Sequence, residues 1–283
     1  MNGRPFTRRR MLRTLLGGGL AASGVGAYTW QIAPHWLELV ERGLAIRQLP
    51  EHLVGKKLVH ISDLHIGPQV DDHYLLDCFR RVRELAPDIV VYTGDFISRY
   101  HQYEAHIQRM FPYLPRGTLG TCGILGNHDY GVDCMEQTVA AHVVGAAAQA
   151  GIAVLRNEIH EVAGLQILGM DDLWAGRFQP QLTFQKLDRQ RASIVLSHNP
   201  DTVDCEGWQG YEGWILAGHT HGGQCKPPFL PPPLLPVKNR RYVAGEYALA
   251  GSRSLYINRG VGHLMQVRFN VRPEITVFQL AKA

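Results

Sequence analysis

The sequence predicts an α/β fold built on two packed β-sheets. From Leu58 onward, short apolar runs rich in Val, Ile and Leu alternate with segments of helical spacing, the pattern of layered α/β architecture. Those runs outnumber the strands of one simple βαβ series, which favours two sheets over one. With 283 residues, 45% hydrophobic and 19% charged, the chain has apolar content for a large core and no sign of wholesale disorder.

The first forty residues stand apart. Arg4, Arg8, Arg9, Arg10 and Arg13 precede the first acidic residue, Glu38, and residues 14–34 are uncharged and rich in glycine. A basic region followed by a moderately apolar segment is the layout of an export signal. The paired arginines after Thr7, followed by Met11, Leu12 and Arg13, resemble the twin-arginine signal, and Gly17, Gly18, Gly19, Gly24 and Gly26 keep the segment less hydrophobic than an ordinary spanning helix. Val25, Gly26 and Ala27 offer a small-x-small cleavage site, while the uncharged stretch also reaches the roughly 20 residues that a membrane anchor needs. Residues 1–40 are therefore expected to form a signal or membrane anchor, with the twin-arginine export machinery as partner. Residues 41–283 are expected to be one domain, periplasmic or at the extracytoplasmic face of the membrane.

Within that domain, residues 58–62 read as a strand, and Leu75, Leu76, Phe79, Val82 and Leu85 recur at helical spacing up to Pro87. Residues 89–92 form the next apolar run. Further strands are expected at 123–125, 152–155, 165–170, 194–197, 214–217, 255–258 and 275–280. Residues 229–236 are too rich in proline for a central strand or a helix interior and are read as a loop forming a rim or lid.

Charge excludes one class of function. The formal net charge is +4, but the five early arginines account for it, leaving 24 basic against 25 acidic residues. A nearly neutral body lacks the basic stripe needed to follow a phosphate backbone, so no dedicated nucleic-acid binding is expected. The five cysteines, Cys78, Cys122, Cys134, Cys205 and Cys225, form no C-x-x-C pair and imply no disulfide framework. Ordinary burial is expected of them, although Cys225 closely follows a histidine-rich motif.

Chemistry concentrates in five segments that share one arrangement. In each, an apolar strand ends and Asp, Asn or His follows, mostly in a glycine-containing turn. They are Asp63-Leu64-His65, Gly94-Asp95, Gly126-Asn127-His128-Asp129, Ser197-His198-Asn199 and Gly218-His219-Thr220-His221-Gly222-Gly223. Carboxyl ends of strands in α/β sheets converge on the functional crevice, so these groups can meet. Asp63 and His65 are two positions apart, as are His219 and His221; extended backbone would point each pair to one side, where it could grip one cluster. Carboxylate, amide oxygen and imidazole together suit divalent Mn, Fe or Zn without a sulfur ligand. Asp95, arriving on its own strand end, is the natural bridging carboxylate.

The ordered set Asp63-x-His65, Gly94-Asp95, Gly126-Asn127-His128-Asp129, His198 and Gly218-His219-x-His221 resembles the calcineurin-like metallophosphoesterase superfamily. Within it, the run from Gly218 to Gln224, the Ser197-to-Asp201 run and Arg272-Pro273-Glu274-Ile275 are similar to a bacterial group of twin-arginine-exported phosphodiesterases. The resemblance implies a four-layer α/β/β/α sandwich and two divalent metal ions, one held by Asp63, His65, Asp95 and His221, the other by Asp95, Asn127, His198 and His219. It implies His128 as general acid, with Asp129 helping to orient it. The family's usual Gly-Asp-x-x-Asp-Arg segment departs here: Ser98 stands at the second Asp, before Arg99.

The expected activity is that of a dinuclear phosphoesterase, most simply a phosphodiesterase, in which a hydroxide shared by ions about 3.5–4 Å apart attacks phosphorus in line. The substrate would be a phosphoester outside the cytoplasm, of a lipid or an envelope polymer. One alternative is a UDP-diacylglucosamine pyrophosphohydrolase of lipid A synthesis, which needs the site to face the cytoplasm; another is a non-catalytic metal-binding envelope protein. Arg99, Arg253, Arg259 and His263 are further candidates for phosphate contacts, since guanidinium pairs well with phosphate oxygens. Asp171 and Asp172, after the 165–170 run, are read as a cap or solvated turn.

Overall fold

The computed structural model describes residues 8–99 and 102–283; Arg4 and Thr7 of the export-type segment lie outside the described residues. Two six-stranded sheets form the body. The first orders β1 (Glu38–Ile46), β12 (Glu274–Lys282), β2 (Lys57–Ile61), β3 (Ile89–Thr93), β4 (Gly120–Ile124) and β5 (Ala153–Leu155). The second orders β10 (Gly245–Ala248), β11 (Arg253–Ile257), β9 (Gly213–Ala217), β8 (Ser193–Leu196), β7 (Leu165–Gly169) and β6 (Glu158–Val162). Both are mixed. β2 to β5 run parallel, with β12 antiparallel to β2; β7, β8, β9 and β11 run parallel, with antiparallel β6 and β10 at the edges.

Side-chain alternation along the strands creates the layers. In β3, Ile89 and Val91 face the second sheet, where they join Ile167, Ile194, Leu196 and Leu216 in one buried cluster. Val90 and Tyr92 point the other way, toward α2 (Asp72–Glu84), α3 (Tyr103–Met110) and α4 (Gln137–Gln149). In β8, Val195 turns outward to a third cluster with Trp208, Tyr211 and Phe184 of α5 (Pro180–Phe184). Strands with both faces covered must be apolar throughout, which is why these runs stand out in the sequence. The result is the expected four-layer arrangement with two packed mixed sheets.

Helix α2 forms where helical spacing predicts it. Asp71 caps it by accepting from the Tyr74 amide at 2.9 Å, and Leu75, Cys78, Phe79 and Val82 bury one face. Three strands were not expected from the sequence: β1, β6 and β10. All are edge strands. Edges have one free side and tolerate charge, so Glu-Leu-Val-Glu-Arg in β1 and Glu-Ile-His-Glu-Val in β6 give no apolar run to read.

The N-terminal segment begins with helix α1 (Arg8–Ala27). No described helix is long and apolar enough to cross a membrane. Residues after α1 lie against the body: the Arg268 amide donates to Thr29 O at 3.0 Å, Gln266 Nε2 donates to Trp30 O at 3.0 Å, and the Arg272 guanidinium stacks over Trp36 at 4.3 Å. β1 itself starts at Glu38 and pairs with β12 along its length, so the folded body takes in residues before position 41.

Ile194 is fully buried between the sheets. Ile194→Ala is expected to lower stability by about 2–5 kcal/mol, read as a lower urea midpoint with an unchanged m-value.

Candidate metal centre

The loops that follow β2, β3, β4, β8 and β9 converge at one end of the sandwich. Asp63, His65, Asp95, Asn127, His198, His219 and His221 are all at most 5% exposed. Five of them, Asp63, His65, Asp95, His219 and His221, have φ between 49° and 69°. This left-handed backbone corrects the extended geometry expected for the two D-x-H and H-x-H pairs. Non-glycine residues enter this region at a cost of order 1–3 kcal/mol, which persists where surrounding packing imposes it.

The ligand atoms fall into two groups that share Asp95. On one side, His221 Nε2 lies 3.0 Å from His65 Nε2 and 3.3 Å from Asp63 Oδ1, and His65 Nε2 lies 3.6 Å from Asp95 Oδ2. On the other, His198 Nε2 lies 3.3 Å from the same Asp95 Oδ2 and 3.1 Å from His219 Nδ1. Ligands about 2.1 Å from one ion stand roughly 3.0–3.4 Å from each other, so these spacings fit a shared cation. Asp63 and His65 do grip one cluster. His219 and His221 do not: the intervening turn sends them to different sides, a correction to the expectation that each pair serves one cluster.

Several buried atoms fit a cation better than any protein partner. Asn127 Oδ1 is buried with no hydrogen-bond partner, and His65 Nε2 and His221 Nε2 face each other at 3.0 Å with Asp63 and Asp95 oxygens 3.3–3.9 Å away. Tautomers are set from behind. His198 Nδ1 donates to Thr93 O at 2.7 Å, freeing Nε2; His219 Nε2 donates to Pro236 O at 2.7 Å, freeing Nδ1. Electrostatics agree. Burial alone would raise the Asp63 and Asp95 carboxyls, but His221 and His198 beside Asp63, and His198, His128 and His65 beside Asp95, hold both below the usual carboxylate range. Burial lowers His65, and lowers His219 to about 3, so both present neutral rings. His198 is the exception: although burial lowers it, Asp95 and Asp63 raise it and favour a proton on the Nε2 that faces Asp95, a proton a bound cation would have to displace.

His128 packs edge-on against His65 with ring centroids 4.8 Å apart, and its amide donates to Asp95 Oδ1 at 2.9 Å. Its pKa is lowered by burial, and Arg99 adds to this. The Asp129 carboxylate makes no hydrogen bond to the His128 ring, so any help in orienting it comes through the backbone. The Asp129 carboxylate instead accepts from the amides of Ile97 at 3.0 Å and Gly126 at 2.9 Å, which shapes the turn carrying Asn127 and His128. Ser98 donates to His65 O at 3.0 Å, so the residue that replaces the usual Asp braces a ligand rather than His128.

Of the further candidates, Arg99 lines the pocket over the ligands. Arg253 is held by Val203 O and Ala250 O, Arg259 by Glu38 and Glu274, and His263 by Gln69 O, so none of the three faces the site. Asp171 binds Arg156 and Tyr130, and Asp172 accepts from the Ala175 amide at 2.7 Å. Both are buried, not solvated; burial pushes Asp172 up to about 6. Among the described residues no cysteine joins a metal-capable group, although Cys225 reaches the pocket wall.

Supporting residues went unnoticed in the sequence. Ser62 donates to Asp63 Oδ2 at 2.5 Å, and the His219 amide donates to the Asp63 carboxylate at 3.0–3.1 Å. Gly260 presses on Asp63: a Cβ there would stand 2.7 Å from Asp63 Cβ. Its loop is clasped by the fully buried Arg268, whose Nη2 donates to the carbonyls of Arg259, Gly260 and Gly262 at 2.7–3.2 Å. An arginine in an unremarkable loop carries no local signal of this task.

Residues 56–223, which hold every one of these ligands, match the profile described as Metallophos, Calcineurin-like phosphoesterase. The chain belongs to that family. It is 31% identical over 290 residues to the metallophosphoesterase YkuE of Bacillus subtilis, covering 97% of this chain and 98% of that protein. It is 32% identical over 285 residues to the phosphodiesterase YaeI of Escherichia coli, covering 97% and 99%. It is 26% identical over 313 residues to the UDP-2,3-diacylglucosamine pyrophosphatase LpxG of Chlamydia trachomatis, covering 92% and 94%. As a calcineurin-like phosphoesterase the chain has the hydrolase fold and metal-capable clusters expected of it.

Gly218 shows how tightly the ligands are set. A Cβ at this position would lie 1.8 Å from Ser62 Oγ and 2.3 Å from Asp63 Oδ2. Gly218→Ala is expected to lose metal uptake, measured by elemental analysis after reloading. Gly145→Ala in α4, where a Cβ meets nothing within 4 Å, should keep full uptake and gain about 0.5–1 kcal/mol from helix propensity.

Proposed function

We propose that this protein is a phosphodiesterase that uses two divalent ions, Mn, Zn or Fe, held by Asp63, His65, Asp95 and His221 and by Asp95, Asn127, His198 and His219. The observation that carries this reading is Asp95 Oδ2, placed between His65 Nε2 at 3.6 Å and His198 Nε2 at 3.3 Å, where one carboxylate oxygen serves both groups. Bound there, the ions would neutralise phosphoester oxygens and lower the pKa of attacking water.

The chain's own groups supply the rest. His128, at the pocket floor beside Asp95, is placed to donate a proton to the leaving alkoxide; burial lowers its pKa and the Asp95 carboxylate opposes that shift, favouring the protonated ring the role requires. Arg99, on the same pocket wall, can pair with a phosphoryl oxygen. The buried, hydrogen-bonded ligand shell holds the reacting phosphorus in one place and limits water around it.

The similarity to LpxG supports a second reading, cleavage of a pyrophosphate. The two readings separate on turnover. Metal-stripped protein reloaded with Mn, Zn, Fe or Mg is expected to hydrolyse bis-p-nitrophenyl phosphate in preference to p-nitrophenyl phosphate. Asp95→Ala should abolish the reaction, and His128→Ala should lower kcat by about 10²–10⁴ with metal content retained. Hydrolysis of a nucleotide-sugar pyrophosphate alone would favour the second reading; full metal content without turnover of any ester would point to a non-catalytic metal-binding protein.

The export-type layout of residues 8–34 supports work outside the cytoplasm, with passage through the twin-arginine machinery. Cell fractionation tests this: in cells lacking that pathway the protein is expected to remain cytoplasmic.

A further inference from the structure

The pocket above the metal ligands, 520 Å³ in volume, changes character between floor and walls. Asp95, His128, His219 and His221 form the floor. The walls are apolar: Trp174, Pro233, Leu234 and Leu235 of the proline-rich loop, and Leu264, Met265 and Val267. Among the described lining residues, Arg99 is the sole charged side chain above the floor.

Polar wall groups are already engaged. Gln224 Nε2 donates to Met265 O and Val267 O, its Oε1 accepts from the Leu264 amide, and Thr220 Oγ1 donates to Val243 O. A sugar or base entering here would find almost no free donor or acceptor on the walls. The apolar groups, by contrast, are uncovered: Leu234 is 73% exposed, Met265 63%, and Trp174 and Leu264 42% each. An exposed apolar patch that continues into a polar floor is the mark of a ligand groove.

The groove is also built in advance. Arg240 Nη2 holds Pro232 O at 2.8 Å, Pro236 O is bound to His219, and Gln224 fixes the 264–267 strip. Whatever is esterified to a phosphorus on the floor must leave the pocket between these walls. Its chemistry is therefore constrained by them.

We propose that the site takes an amphiphilic phosphoester whose phosphate rests on the metal floor and whose hydrocarbon chain lies between the proline-rich loop and residues 264–267. The proposal rests on the phosphoesterase reading of the floor. The apolar surface continues beyond the pocket, because exposed Trp30 and Ile32 belong to the segment hydrogen-bonded to Gln266 and Arg268.

The test is calorimetric binding of methylphosphonate, butylphosphonate and octylphosphonate to the full chain reloaded with manganese. One fully buried methylene is worth about 0.8 kcal/mol, or roughly fourfold in affinity, so octylphosphonate should bind at least about 100-fold tighter than methylphosphonate. The double variant Leu234→Asp, Met265→Asp should cut that ratio at least tenfold, whereas Leu234→Met, Met265→Leu should preserve it; thermal melting verifies that each is folded. Equal affinities within threefold, or a ratio unchanged by the Asp pair, would overturn the groove. The bis-p-nitrophenyl phosphate assay separates the two failures. Diester turnover with no chain-length dependence sinks the groove alone, while neither turnover nor methylphosphonate binding sinks the phosphoesterase reading beneath it.

Discussion

Two buried carboxylates, Asp63 and Asp95, set the terms for everything around them. A carboxylate removed from water costs several kcal/mol unless hydrogen bonds and opposite charge offset it. Here Ser62 Oγ and the His219 amide meet Asp63, the His128 amide meets Asp95, and imidazoles ring both. The imidazoles outweigh desolvation and keep both groups ionised. A compact, negatively charged pair surrounded by nitrogen donors is a cation site by its electrostatics, before any comparison with relatives.

The two-sheet body exists to hold that pair. Asp63 and Asp95 follow neighbouring parallel strands, β2 and β3, and the Asp63 amide donates to Gly94 O while the His65 amide donates to Asp95 O, so the two loops are tied to each other. His198 and His219 arrive from β8 and β9 in the other sheet. The interface between the sheets, packed by Ile89, Val91, Ile194 and Leu196, therefore fixes the distance across the centre. Small shifts there would open the ligand spacings of 3.0–3.9 Å, and well-packed interiors resist such shifts.

Around this centre the protein changes from polar to apolar within one pocket. The proline-rich loop serves both regimes: Pro236 O orients His219, and Leu234 and Leu235 form the wall above. The segment following α1 packs beside the opposite wall through Thr29 and Trp30. The N-terminal helix thus leaves the body next to the mouth of the site, so that the part of the chain with an export-type sequence and the part with the chemistry are structurally adjacent.

What the sequence determined by itself was the candidate ligand set, the family it resembles and the interior of the fold. Asp63, His65, Asp95, Asn127, His198, His219 and His221 are legible because ligand types at the ends of apolar runs stand out from their surroundings, and strands β2, β3, β7, β8 and β9 are legible because both their faces must be apolar. Edge strands β1, β6 and β10 left no such trace, since one free side lets them carry charge. Spacing by itself put His219 and His221 in one group; tertiary structure separates them, as the resemblance implied, because left-handed backbone at both overrides the alternation. Tertiary structure alone gave Asp129 to the Gly126 and Ile97 amides instead of to His128, and brought Arg268 under the Gly260 loop. Asp129 reaches Ile97 across 32 residues, and Arg268 folds back onto carbonyls 6 to 9 residues before it, contacts that no residue pattern marks.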